Sequence, residues 1–401
     1  MSSSSSDSSS GLTLTLLPHG DTGTRVRWRS LEVSSANGKL YGAPYDNVDK
    51  LIVIDPTNDS IDISLSTASM SSGAKQWVDG TALPDGRIFF NSASATGHLV
   101  VDTNPATPTL AKYGTTAYQC RGSVLADNGK VYSSVYQDFD YLRTYDTSTN
   151  ALSTVTYTRD AGPPSWTDGS LQDRLAGYHW GMAKAPNTGK LYGVPWGPHK
   201  VMVVDPTTDT VTWTADNVTG NTTVGTIGAT PAYFGKYGGK GTYVPSNQCI
   251  YIMPRSGNAI LKINTLTDAL TEIPLPAVLQ ARSEQRSMSS FLGPDGKVYS
   301  TPWSMPYLFW IDPATDTIDY MDISATMSAD GGGASGTGYW TYAAVSNDVA
   351  YIVSGGANNV LKISFPEIST SASSDSESDS SSSFGSSKSY SSVSESSSSS
   401  V

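Results

Sequence analysis

"YGVPWGPHKVMVVDPTTD" occupies Tyr192–Asp209, and near-copies stand at Tyr41–Asp59 ("YGAPYDNVDKLIVIDPTND") and Tyr299–Asp316 ("YSTPWSMPYLFWIDPATD"). An aromatic residue closing a short "GK-apolar" run recurs at Tyr41, Phe89, Tyr132, Tyr192, Tyr251, Tyr299 and Tyr351. Thirteen or fourteen residues further on comes a small polar residue: Asp55, Asp102, Asp146, Asp205, Asn264, Asp312 and Ser364. The spacing from Tyr41 to Tyr351 gives a mean period of about 52 residues, near that of propeller repeats.

Each copy reads as four short strands, A to D. In the fourth, "YHWGMAKA" is A, "GKLYGVP" is B, "HKVMVVD" is C and "DTVTWT" is D. Asn-Gly at Asn37 and Asn128 and Asp-Gly at Asp85 and Asp295 mark tight A–B hairpins, because these pairs tolerate positive φ. "DPTTD", "DPTND" and "DPATD" mark C–D turns, with Pro presetting φ and the leading Asp accepting a backbone N–H. The same Asp-Pro-x-x-Asp pattern suits a calcium loop, but its repetition in turn position favours turn geometry. No sustained 3.6-residue period appears, so helices should be nearly absent.

Seven such units cannot bury both faces alone and must pack radially, which predicts an all-β, seven-bladed β-propeller of four-stranded antiparallel blades. The seventh copy stops soon after strand C, at "NNVLKISFPEI". "GLTLTLLPHG" (Gly11–Gly20) is an alternating strand placed to complete that blade. The body spans residues 11–368, with residues 11–18 finishing the last blade. The Ser-rich segments 1–10 and 369–401 read as disordered tails, having too little apolar surface to offset ordering entropy.

The unit "NGKLYGAPY…LIVIDPTND" resembles the repeats of bacterial YncE-type and kelch-like propellers. A narrower resemblance, through "INTLTDALTEIPLP" (Ile263–Pro276), is to the streptogramin lyases, and it implies a His/Glu acid–base site with bound magnesium. The second strands here read "LYGAP", "VYSSV", "LYGVP", "IYIMP" and "VYSTP", without the glutamate those lyases carry.

Composition narrows the function. The 401 residues carry a net charge of −11 with no basic cluster, which argues against nucleic acid and anionic membranes as partners. No apolar run is long enough to span a bilayer, and the N-terminus lacks the basic and apolar regions of a signal peptide. Cys120 and Cys249 lie in different repeats, outside any metal spacing.

The swapped middles of the repeats are B–C loops, which share one face with the D–A loops around the channel mouth. They present Tyr45, Tyr136, Trp196 and Trp303 at matching positions, beside His199 and Arg255. These rings form either a stacking platform for a sugar or flat peptide, or covers over the neighbouring blades. Arg27 and His179, just before the strand A anchors, should line the mouth. The anchors Trp28, Trp77, Cys120, Trp180, Met288 and Trp340 should fill the inter-blade core, and the fifth copy, with Gly238 and Gly239, is degenerate there.

No catalytic residue, cofactor or metal ligand set emerges. The expected function is non-enzymatic recognition of a protein or carbohydrate on the B–C/D–A face. Display would be on a cell surface or virion appendage rather than in the cytoplasm, with the tails available to an assembly partner. A lyase-like enzyme acting at the mouth is the alternative.

Overall fold

The seven repeats become seven antiparallel blades of four strands each, built from inner strand A to outer strand D, with one further strand added at the edge of the last. The computed structural model describes residues 4–6, 11–21, 26–46, 48–71, 75–117, 119–135, 140–158, 179–197, 200–219, 235–282, 284–332 and 338–366. The expected C-terminal tail lies outside these residues. The inner strands are Glu32–Val33, Trp77–Ala82, Cys120–Leu125, His179–Lys184, Thr242–Val244, Ser287–Leu292 and Trp340–Ser346. Each touches the next, and the last touches the first, so the ring is closed around a central channel. Among the described residues only two short helices occur, Ala277–Gln280 and Ser324–Asp330, both in D–A connections.

Blade seven takes its fourth strand from the other end of the chain. Thr13–Pro18 pairs antiparallel with Asn359–Ser364, from Thr13 opposite Ser364 to Pro18 opposite Asn359. Leu12, Leu14 and Leu16 are buried against Trp340, Ile352 and Leu361. The N-terminal segment departs from its expected disorder at one place. Ser4–Ser6 adds a fifth strand along Thr13–Thr15. A sheet edge offers unpaired N–H and C=O groups, and pairing with them requires nothing of the side chains.

The repeated aromatic and the repeated turn meet between blades. Tyr192 of blade four donates its hydroxyl to Asp268, the last residue of blade five's C–D turn, at 2.6 Å, and Lys190 adds its ammonium at 2.7 Å. Tyr132 and Lys130 hold Asp209 of blade four in the same way. Tyr251 and Lys262 hold Asp316 of blade six, and Tyr351 and Lys362 hold Asp59 of blade one. Lys130 and Lys190 come from strand B, whereas Lys262 and Lys362 reach over from strand C, directly opposite their tyrosines. Every one of these aspartates has positive φ, between 53° and 59°, a conformation Asp and Asn tolerate better than other non-glycine residues. The leading Asp of the turn does as expected: Asp55, Asp205 and Asp312 each accept the N–H two residues on.

Around the channel, blades three to six approach one another at backbone contact. A Cβ on Gly181 would lie 1.6 Å from the Gly239 carbonyl oxygen, and one on Gly239 (φ +67°) would lie 2.1 Å from that of Met288. The glycines of the fifth copy therefore do not mark decay. They let the inner strands close up.

Candidate functional site

At the mouth the blades are stapled by main-chain hydrogen bonds. Lys236 N–H donates to Trp196 O, Arg255 to Lys236, Arg286 to Arg255, Trp303 to Arg286 and Tyr339 to Trp303. The run continues from Gly355 to Tyr339, Arg27 to Gly355, Tyr45 to Arg27, Gln76 to Tyr45 and Ala93 to Gln76, at 2.6–3.1 Å throughout. Strand-A starts and B–C loops alternate along it. Tyr45, Trp196, Arg255 and Trp303 are thus one structural position repeated in blades one, four, five and six.

Their side chains converge. Trp180 and Trp196 stack with ring centroids 4.3 Å apart. Arg255 lies over Trp196, Trp180 and Trp303 at 4.6, 5.1 and 5.5 Å. Arg29, unnoticed in the sequence, lies over Tyr45 at 4.3 Å and Trp303 at 5.3 Å, and Arg121 lies 5.6 Å from Trp180. The rings also cover backbone, since a Cβ on Gly338 would sit inside the Trp303 indole. Tyr45 and Trp303 are buried, and Trp196 is half-buried. Arg255 is steadied by Gln285, whose Oε1 accepts from Nε and Nη2. Packing and presentation are combined in the same residues.

Below the mouth, three charges bridge the channel. Lys240 of blade five reaches Glu32 of blade one at 2.5 Å and Asp79 of blade two at 3.1 Å. Asp79 (φ +54°) also accepts the N–H groups of Gly80 and Ser123. Burial pushes both carboxyls above their usual range, with Lys240 opposing the shift. Burial would depress the Lys240 ammonium, but Asp79 and Glu32 outweigh it and hold it above its ordinary value.

Two expectations need correction. His179, expected at the mouth, occupies the inter-blade anchor position opposite Pro195. It is buried, with its ring 5.5 Å from Trp213. Trp180, expected in the inter-blade core, turns into the mouth instead. The reason is register: Trp28, Trp77, Cys120 and Trp340 pair with the end of their own strand B, as His179, Tyr237 and Ser287 do in blades four to six. Anchor alignment by residue type therefore slipped by one residue in blades four and six. Arg27 is fully buried, and its Nε donates to Asp21 at 2.7 Å and its Nη1 to Ala357 O at 2.6 Å, which commits it to ring closure. Tyr136 and His199 lie outside the described residues.

No family model and no curated protein matches this chain. Its fold is that of known seven-bladed propellers. A catalytically inactive virginiamycin B lyase from Staphylococcus aureus, solved with quinupristin, is 13% identical with a TM-score of 0.63, over 88% of this chain and 100% of that one. The extracellular domain assigned to the hybrid two component system BT4673 of B. thetaiotaomicron is 13% identical, TM-score 0.60, over 91% of this chain and 43% of that one. The WD40 repeats of RRP9 are 8% identical, TM-score 0.57, over 91% and 100%. At these identities the likeness shows the fold alone.

Proposed function

We propose that this propeller is a recognition module that binds its ligand at the channel mouth without transforming it. The observation that carries the reading is the convergence of Trp180, Trp196, Tyr45 and Trp303 with the guanidinium groups of Arg29, Arg121 and Arg255. Stacked indoles interleaved with arginines are the residue types that dominate binding hot spots. The proton-transfer chemistry of a lyase finds less support. His19 and His98 are buried, and burial, with Arg27 and Arg143 nearby, depresses them to about 4 and about 3. They are neutral and poorly matched to acid–base work near pH 7. The Ser-rich ends suit display on a cell surface or virion appendage.

Binding of the full chain to a glycan array and to candidate surface proteins tests this reading. Trp196→Ala, at the half-buried ring, should lose about tenfold or more in affinity, with little change in melting temperature. Unchanged binding by Trp196→Ala to a ligand the wild type captures would move the recognition surface elsewhere. Turnover of that ligand would make the protein an enzyme.

A further inference from the structure

We infer that Arg29 anchors an anion site at the channel mouth, and that the anion is a carboxylate carried on a sugar ring. The inference rests on the recognition reading above and names its ligand class. Arg29 is 8% exposed. Its side chain makes no hydrogen bond or ion pair among the described residues, and its Nε is buried without a partner. What faces it is aromatic: Tyr45 at 4.3 Å, Trp303 at 5.3 Å and Trp180 at 6.0 Å. Cation–π contact replaces only part of a guanidinium's hydration, so a buried cation of this kind has a reason to await a counter-charge.

The surroundings sharpen that reason. Arg121 and Arg255 lie 5.6 and 5.1 Å from the same Trp180 ring. Three positive groups therefore gather around one indole, in a chain whose net charge is −11. The unpaired guanidinium of Arg29, with cationic and not anionic side chains over the rings beside it, favours an anion over a neutral group in this mouth. A planar carboxylate matches the guanidinium fork with two parallel hydrogen bonds. The half-buried Trp196, stacked on Trp180, offers a flat apolar face beside that charge. A flat C–H face next to a carboxylate is the shape of a uronic acid.

The test uses the full chain with sodium glucuronate, glucose, sodium acetate and sodium sulfate at matched ionic strength. Tryptophan fluorescence and thermal melting are read for each. Glucuronate should quench fluorescence and raise the melting temperature, acetate should do so more weakly, and glucose should do neither. Arg29→Met keeps the apolar stem and removes the unpaired charge. It should melt at or above wild type without ligand and lose about tenfold or more in glucuronate affinity. Arg29→Lys keeps the charge without the fork and should bind between the two.

No response to glucuronate at tens of millimolar would overturn the inference. So would equal binding by Arg29→Met, a response to sulfate alone, or melting of both variants well below wild type, which would make Arg29 structural. Binding of a neutral sugar that is lost in Trp196→Ala but kept in Arg29→Met would leave the recognition reading standing and remove this one.

Discussion

The phenolic hydroxyl of Tyr192 in blade four and Oδ1 of Asp268 in blade five are 2.6 Å apart, and Lys190 closes on the same carboxylate at 2.7 Å. This contact explains why the chain repeats both its strand-B tyrosine and its turn-ending aspartate. Each serves the other in the next blade for Tyr132, Tyr192, Tyr251 and Tyr351, whereas Tyr41 and Tyr299 bond to Asn37 and Asp295 of their own hairpins. Tyr192→Phe should cost about 1.5–3 kcal/mol, the range for a hydrogen bond to a charged acceptor. Asp268→Ala should cost more, because it loses both partners and places Ala at φ +59°. In a denaturation cycle, Tyr192→Phe with Asp268→Asn should be non-additive by about 1 kcal/mol. Strict additivity would show that the contact is not energetically coupled.

Lys240 holds two carboxylates that come from blades on the far side of the channel. Lys240→Met should destabilise by about 3–5 kcal/mol, the cost of leaving buried charge uncompensated. Adding Glu32→Gln and Asp79→Asn should recover much of that loss. If the triple variant melts no higher than Lys240→Met, the triad's role is steric and not electrostatic.

Acid should weaken the fold in two stages. His19 and His98 titrate near 6.5 when unfolded but near 4 and 3 when folded. Between those values the unfolded chain binds the extra protons, so stability falls as pH drops, by about 1.4 kcal/mol per unit for each ring. Asp59 and Asp209 act lower. Burial would raise them, but their Lys and Tyr partners outweigh it and hold both below the ordinary carboxylate range. Their contribution is complete above about pH 4 and is lost as pH falls through the lowered folded values. His98→Asn keeps an acceptor for the Ser92 N–H and should flatten melting between pH 6 and 4 by about one ring's share. An unchanged slope in that variant would place the titration elsewhere.

Ring closure depends on Thr13–Pro18. Leu14→Ala should cost about 2–5 kcal/mol, as a buried leucine does. Removing residues 1–18 should lower the melting temperature of the whole ring cooperatively, whereas removing residues 370–401 should leave it unchanged. Equal melting of both truncations and the full chain would rule out closure by this strand.

Much of the architecture could be read from spacing, because strand length, turn chemistry and the aromatic–Asp interval are local quantities. The mouth was half legible. Tyr45, Trp196, Arg255 and Trp303 stand out in the sequence as loop residues, and they share one backbone position. Their burial depends on neighbouring blades and has no local signature. Trp180 was misplaced because strand A carries a register shift in blades two, three, four, six and seven. An extra residue there breaks the alternation by which a strand is read. Lys240, Glu32 and Asp79 meet from three separate blades, and no interval in the sequence brings them together. The closing Asp of "DPTTD" carries only a turn signal locally, since its partners Tyr132 and Lys130 lie in the preceding repeat.

The staple at the mouth runs through N–H and C=O groups alone, from Trp196 round to Ala93. The register between these blades is thereby set by backbone groups, whichever side chains the rim carries. Blades one, two, four, five, six and seven already fill the shared position with Tyr45, Ala93, Trp196, Arg255, Trp303 and Gly355. The rim is an alphabet on a fixed frame, and its most changeable letter is the half-buried Trp196, since Tyr45 and Trp303 also pack. Randomising Trp196 should yield folded libraries with new specificities, whereas Tyr45 and Trp303 should tolerate only other large apolar rings.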